Sequence, residues 1–147
     1  MSLENFEQLK LQNQLCFPLY AAAKEVVRKY KPYLDELDLT YTQYITMMVL
    51  WEKEQCNVKE LGSMLFLDSG TLTPLLKKLE SKGYITRCRC KEDERNLIIQ
   101  ITEKGEALKE KAAHIPENMA CKWVNLDKEE IKITYHSLYK LLSQVQE

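Results

Sequence analysis

Leu72, Leu75, Leu76 and Leu79 recur at i, i+3, i+4 and i+7, which lays one apolar stripe along a helix and leaves its other face to solvent. The boundaries of this helix are legible. Asp68 or Ser69 supplies an N-cap oxygen, and Gly83 stands where a helix C-terminal glycine belongs, so the helix should run to about Lys82. A shorter helix precedes it, capped by Asn57 and spanning Val58–Leu65. Two strands follow, Tyr84–Arg89 and Leu97–Thr102, the second alternating Leu97, Ile99 and Ile101 on one face. Two short helices, the second running directly into a hairpin with a charged tip, describe a winged helix-turn-helix. The expected fold class is mainly α with a small β-hairpin wing.

Helices flank this unit on both sides. The first should run from about Gln14 to Tyr30, with Leu15, Leu19, Ala22, Val26, Tyr30 and Tyr33 as its stripe. Pro18 fits only in a first turn, and Pro32 should break or kink the helix, leaving Tyr33–Leu37 as a short second segment. Thr40 caps a helix over about Tyr41–Glu54, with Ile45, Met48, Val49 and Glu52 in register. Thr102 caps another from Glu103, disturbed by Pro116. Asp127 and Glu130 form an Asp-variant capping box at the last helix, with Leu126 able to pack on Ile131. Ile131, Tyr135, Leu138, Leu142 and Val145 then repeat as a heptad seam, which demands a partner helix. Apolar-striped helices at both ends of a small chain favour a homodimer. The expected organisation is one domain over 1–147, dimerising through 1–37 and 103–147, with the winged helix at about 41–102.

The net charge of −1 says nothing about nucleic acid, but its distribution does. Residues 77–95 hold seven Lys or Arg against four acids, a net +3 on a body that is otherwise acidic. One basic edge suits a protein that meets phosphate on one side, although a charge run taken alone is more often a solvated face. No apolar run is long enough to span a bilayer, and MSLENFEQLK lacks a signal-peptide core, so a cytoplasmic protein with no membrane partner is expected. Five cysteines then read as free thiols.

The face opposite the leucines carries Ser69, Thr71, Thr73, Lys77 and Lys78, which are donors suited to base edges and phosphates of double-stranded DNA. Arg87 and the hairpin tip extend the same surface. The tip reads Lys91-Glu-Asp93-Glu-Arg95-Asn96, and Asp93 could aim Arg95 into a minor groove. Spacing alone does not separate that reading from an exposed polar turn. Pro74 removes one bond near the start of the helix, where the loss is small.

The run Asp68-Ser-Gly-Thr-Leu-Thr-Pro-Leu-Leu-Lys-Lys-Leu-Glu80, then Gly83-Tyr-Ile-Thr-Arg87, Asp93-Glu-Arg95 and Thr102-Glu-Lys-Gly105, resembles the MarR family of transcriptional regulators. Within that family the sequence is similar to the organic-hydroperoxide-sensing (OhrR-like) repressors over nearly its whole length. The resemblance implies a homodimer on a pseudo-palindromic operator, with half-site centres about 34–36 Å apart. It also implies a redox-sensing Cys16, hydrogen-bonded in relatives by the hydroxyls of Tyr30 and Tyr41, and a two-Cys subclass in which Cys121 resolves the oxidised sulfur across the dimer.

Taken alone, Cys16 would be a small buried hydrophobe and the tyrosines core. The physical support for sensing is position, because the positive end of a helix favours the thiolate that attacks a peroxide. Tyr30 lies fourteen residues on, about 21 Å along a straight helix, so its contact with Cys16 must come from the other subunit.

Cys88 and Cys90 form a C-x-C on the first wing strand with both thiols on one face. A zinc pair lacks its other ligands, since His114 and His136 are far away, so no metal or cofactor is expected. Cys56 has no motif. Two other readings stand beside the peroxide sensor: a repressor released by a small aromatic or acidic ligand, with Cys16 merely buried, and a thiol peroxidase. The second lacks any C-x-x-C or thioredoxin-like pattern.

Overall fold

The computed structural model describes residues 6–93, 96–123 and 125–145, with backbone alone for 121–123. The chain divides into two compact units, Met1–Ile115 and Pro116–Glu147.

In the first unit two 3-10 turns, Glu7–Leu9 and Leu11–Asn13, precede α1 (Cys16–Glu36). Pro18 sits in the first turn, where its missing N–H costs nothing. Pro32 does not break the helix, contrary to the sequence expectation. It lacks the N–H that would reach the Arg28 carbonyl, but both residues are exposed, so water can satisfy that oxygen. The turns beyond are held by buried Leu34 and Leu37 and by a Lys31–Asp35 pair at 2.9 Å. The helix closes where the Leu39 N–H returns to the Leu34 carbonyl at 3.0 Å across Asp38, whose φ is +52°.

Thr40 starts α2 (Tyr41–Lys53) with a complete capping box. The Gln43 N–H donates to Thr40 Oγ1 at 3.3 Å, and the Thr40 N–H donates to Gln43 Oε1 at 3.1 Å. The stripe expected on this helix is corrected. Gln43, Tyr44, Thr46, Met47, Val49 and Leu50 are buried, whereas Met48 is 44% exposed. A single amphipathic stripe fails here because α2 is the central helix and is covered on several sides.

A short strand not expected from the sequence follows, β1 (Gln55–Asn57), then α3 (Val58–Leu65), α4 (Ser69–Ser81), β2 (Ile85–Arg89), β3 (Leu97–Ile101) and α5 (Glu103–Ala112). The sheet is antiparallel in the order β1-β3-β2, so the wing hairpin gains a third strand at its base. In its register Cys56 lies opposite Ile99, and Ile99 opposite Arg87. Met47 and Leu50 of α2, Leu61 of α3, Leu72, Leu76 and Leu79 of α4, Ile85 of β2 and Ile99 of β3 are all essentially inaccessible and form the core. Every cap expected here is made: the Asn57, Asp68 and Thr102 side chains accept from the N–H groups of Glu60, Thr71 and Gly105.

The chain turns again at 113–114 and continues as α6 (Ile115–Trp123), with Pro116 in its first turn. The last helix, α7 (Lys128–Val145), begins with the reciprocal Asp127–Glu130 box, both bonds 2.9 Å. The expected staple pair stays open, with Leu126 46% and Ile131 45% exposed. No residue of α7 is buried, and its seam residues Tyr135 and Leu138 face solvent. No helix among the described residues is long and apolar enough to cross a membrane.

Gly105 marks the tightest approach in the first unit. A Cβ there would lie 2.2 Å from the Tyr84 carbonyl oxygen and 2.9 Å from Ile101 Cγ1, and the Gly105 carbonyl accepts from Trp51 Nε1 at 2.9 Å. Gly105→Ala should therefore cost about 1–3 kcal/mol by overpacking, read as a lower urea midpoint. An unchanged midpoint would show that α5 can move away without loss.

Candidate functional site

The two faces of α4 separate cleanly. Leu72, Leu75, Leu76 and Leu79 are buried, while Ser69, Thr71, Thr73, Lys77 and Lys78 are all exposed on the same element. Asp68 sets the start of this face: its carboxylate accepts from the Thr71 N–H at 2.7 Å. That backbone bond, with help from the Thr71 hydroxyl, holds the Asp68 carboxyl below its ordinary value. Thr73 Oγ1 donates to the Ser69 carbonyl at 2.8 Å, so its remaining capacity is that of an acceptor. Phe66, in the left-handed conformation at φ +55°, makes the turn that joins α3 to α4.

Arg87, expected on the DNA-binding surface, is paired in the structure. Its Nη2 pairs with Glu80 Oε1 at 3.0 Å, and its backbone N–H donates to Glu80 Oε2 at 3.1 Å. The Arg87 side chain is only 21% exposed, and its Nε is buried without a hydrogen-bond partner among the described residues. This pair ties β2 onto α4, a contact that the charge pattern alone did not reveal. On the wing tip the Asn96 N–H closes a turn onto the Asp93 carbonyl at 2.9 Å. Arg95, and with it the expected Asp93–Arg95 pairing, lies outside the described residues.

Cys16 is the first residue of α1 and is exposed. The structure thus places this thiol at the positive helix end rather than in a core. Tyr30 is half-buried on the same unbroken helix, fourteen residues away, which is about 21 Å of rise. The ring of Tyr30 meets that of Tyr41 at 5.0 Å between centroids and that of Tyr44 at 5.8 Å. Tyr44 packs in turn on Trp51 at 6.3 Å. Burial pushes all three phenols up, Tyr44 to about 12, so each remains an O–H donor at neutral pH. Tyr44 was missed in the sequence, although its i+3 spacing from Tyr41 puts the two on one helix face. Around Cys16 the helix is uncovered: Leu15 is 77%, Phe17 44% and Tyr20 65% exposed. Cys121 lies on α6, and its side chain is outside the described residues. Cys56 is buried with its thiol pushed up by burial, which makes it a poor nucleophile.

A capped helix braced to a three-stranded wing, in a chain whose first long helix starts with a thiol, defines a winged helix-turn-helix transcriptional regulator. A profile of the transcriptional regulator SarA/Rot family matches residues 28–112, and the chain belongs to that family. It is 49% identical over 144 residues to the organic hydroperoxide resistance transcriptional regulator of Bacillus subtilis (strain 168), covering 95% of both chains. Among solved structures it resembles reduced AbfR bound to DNA, with TM-score 0.78 and 33% identity over 96% of this chain and 98% of that one. It resembles disulfide-formed AbfR with TM-score 0.69 and 32% identity over 96% of each chain. That protein comes from Staphylococcus epidermidis. The resemblance to hydroperoxide-sensing MarR-type regulators read from the sequence therefore holds.

The Arg87 guanidinium holds the Glu80 carboxyl below its ordinary value, chiefly through their hydrogen bond. A carboxyl so depressed adds stability above its unfolded value, about 4.3, and loses it as pH falls through the lower folded value. The gap in Tm between the parent and Glu80→Gln should thus be widest near neutral pH and shrink below about pH 4. A gap constant between these conditions would remove the ion pair from the wing's support.

Proposed function

We propose that this chain is a homodimeric, DNA-binding repressor of the cytoplasm that leaves its operator when Cys16 is oxidised by an organic hydroperoxide. The observation that carries the reading is an exposed thiol at the first residue of α1, on a helix whose surrounding apolar side chains have no cover. The Bacillus relative is designated a regulator of organic hydroperoxide resistance, and AbfR is known in reduced, DNA-bound and disulfide states.

The chemistry follows from the thiol. The Cys16 thiolate attacks one peroxide oxygen, the O–O bond breaks, and the alcohol departs with a proton, leaving a sulfenic acid. A second thiol then attacks that sulfur and displaces water to form a disulfide. Cys121 of the partner subunit is the proposed second thiol, with a small free thiol as the other source. Tyr30 and Tyr41, also from the partner, donate their hydroxyls to the reacting sulfur. Closing a disulfide needs Cα atoms within about 7 Å, so cysteines whose Cα atoms lie farther apart than that must drag the dimer helices together. The two α4 helices then lose their common spacing of about 34 Å, and simultaneous grip on both half-sites fails.

On the DNA side, Ser69, Thr71, Thr73, Lys77 and Lys78 form the major-groove face, and Asp93 with Arg95 the minor-groove tip. Arg87 acts here as a brace behind that face.

A second reading has one observation in its favour. An open cleft of about 350 Å³ between α1 and α2 is lined by Lys24, Val27, Arg28, Leu34 and Tyr41, with Lys31 paired to Asp35 beside them, which leaves Lys24 and Arg28 to meet a small aromatic acid.

Operator titration with reduced and cumene hydroperoxide-treated protein separates the readings. The parent should lose affinity at least tenfold on oxidation, and Cys16→Ser should bind equally well with or without peroxide. A Cys16→Ser protein that still releases DNA on peroxide treatment would transfer the switch elsewhere. Arg95→Ala should weaken operator binding at fixed salt with no change in Tm, and unaltered affinity would exclude the wing tip from DNA contact. Non-reducing electrophoresis after peroxide should give a dimer band that needs both Cys16 and Cys121. Its absence would leave the small-thiol route.

A further inference from the structure

Cys88 and Cys90 are left over by this mechanism, and the fold presents them together. β2 turns Ile85 and Arg87 toward α4, where Ile85 is buried and Arg87 meets Glu80. The alternate residues Thr86, Cys88 and Cys90 therefore share the opposite face of the strand. Cys90 follows the last residue of β2 but keeps the ladder, because its N–H donates to the Asn96 carbonyl at 2.8 Å, one step beyond the Arg89–Leu97 pair. Both thiols are free, Cys88 exposed and Cys90 half-buried. The Cys88 thiol donates to the Arg89 carbonyl at 3.5 Å, a weak bond that a thiolate gives up readily.

Two residues apart on a strand, their Cα atoms are roughly 6.4–6.8 Å from each other. That span sits at the upper limit for a disulfide, whose usual Cα separation is about 5.5–6 Å, so an internal bond would be strained. It suits an ion bridging two sulfurs. The number of donors then selects the ion. Zinc needs four ligands, and the described residues contain no group of three or more His, Cys, Asp or Glu able to hold a metal. Across β3 the nearest positions on the same face are Asn96, Ile98 and Gln100, which add no thiolate, imidazole or carboxylate. Two soft thiolates, faced across β3 by Asn96, Ile98 and Gln100, match a two-coordinate, thiophilic d10 cation.

We infer that Cys88 and Cys90 together form a binding site on the wing for a soft monovalent cation of the Cu(I) class, separate from the peroxide-sensing thiol. Binding releases two thiol protons for each ion and leaves a bis-thiolate complex of net charge −1, in a segment whose own charge is +3.

The test uses full-length Cys16→Ser/Cys121→Ser protein, which keeps the wing pair and buried Cys56, reduced and handled without oxygen. Cu(I) is titrated against a chromogenic Cu(I) chelator, with proton release followed in weak buffer. One ion per chain should bind with two protons released, and either Cys88→Ser or Cys90→Ser should weaken binding at least 100-fold, because each removes half of a chelate. Both variants should keep the parent's far-ultraviolet circular dichroism, since Cys88 is exposed and serine is close in size. Binding that survives either single substitution, or that appears only at millimolar Cu(I), overturns the site. So does a complex that forms only as chains associate, which would mean single thiols from two molecules.

Discussion

The length and continuity of α1 govern what this molecule can do. Because the helix runs unbroken from Cys16 to Glu36, Cys16 and Tyr30 are held about 21 Å apart on one rod. No side-chain rotation closes that distance. A site that unites the thiol with the Tyr30–Tyr41 pair can be completed only by a second copy of the chain, so peroxide chemistry and subunit pairing use the same surface in the proposed mechanism. The uncovered side chains around Cys16 and along α7 are the part of the structure that asks for this second copy. A dimer would bury them at about 25 cal/mol for each Å² of apolar surface.

The reading head, by contrast, is complete in one chain. Asp68 caps α4, the Glu80–Arg87 pair ties its far end to β2, and Gly83 at φ +81° turns the chain from one to the other. β1 pairs with β3 and anchors the hairpin base. Helix and wing base are thus tied together within one chain. In the proposed switch a shift at the dimer surface carries this tied unit with it, which is what an action through half-site spacing requires.

Much of this was legible in the residues. Caps at Thr40, Asn57, Asp68, Thr102 and Asp127 located five helix starts, because a side-chain oxygen one position before an apolar repeat has few other uses. The leucine stripe fixed which face of α4 is buried. What escaped notice was set by tertiary context. Pro32 sits inside a helix because its orphaned carbonyl partner is solvated and Leu34 anchors the next turn. Polar Gln43 and Thr46 are buried because α2 is surrounded. β1 is three residues long with no alternation to read. The Arg87–Glu80 pair went unread because a linear sequence does not place Glu80, seven residues earlier, across from Arg87. The partnership of Tyr44 with Tyr30 and Tyr41 likewise required two helices to be docked.

The most direct test is complementation between two defective subunits. Cys16→Ser chains lack the sulfur, and Tyr30→Phe/Tyr41→Phe chains lack the proposed hydroxyl donors. In a mixed dimer, one site would join an intact Cys16 from one chain to intact tyrosines from the other. Rapid peroxide oxidation of the thiol should return in the mixed dimer, in half of the sites, while both parent homodimers stay slow. If the mixture is no faster than the tyrosine-deficient homodimer, the sulfur and the phenols do not meet across subunits, and the account fails.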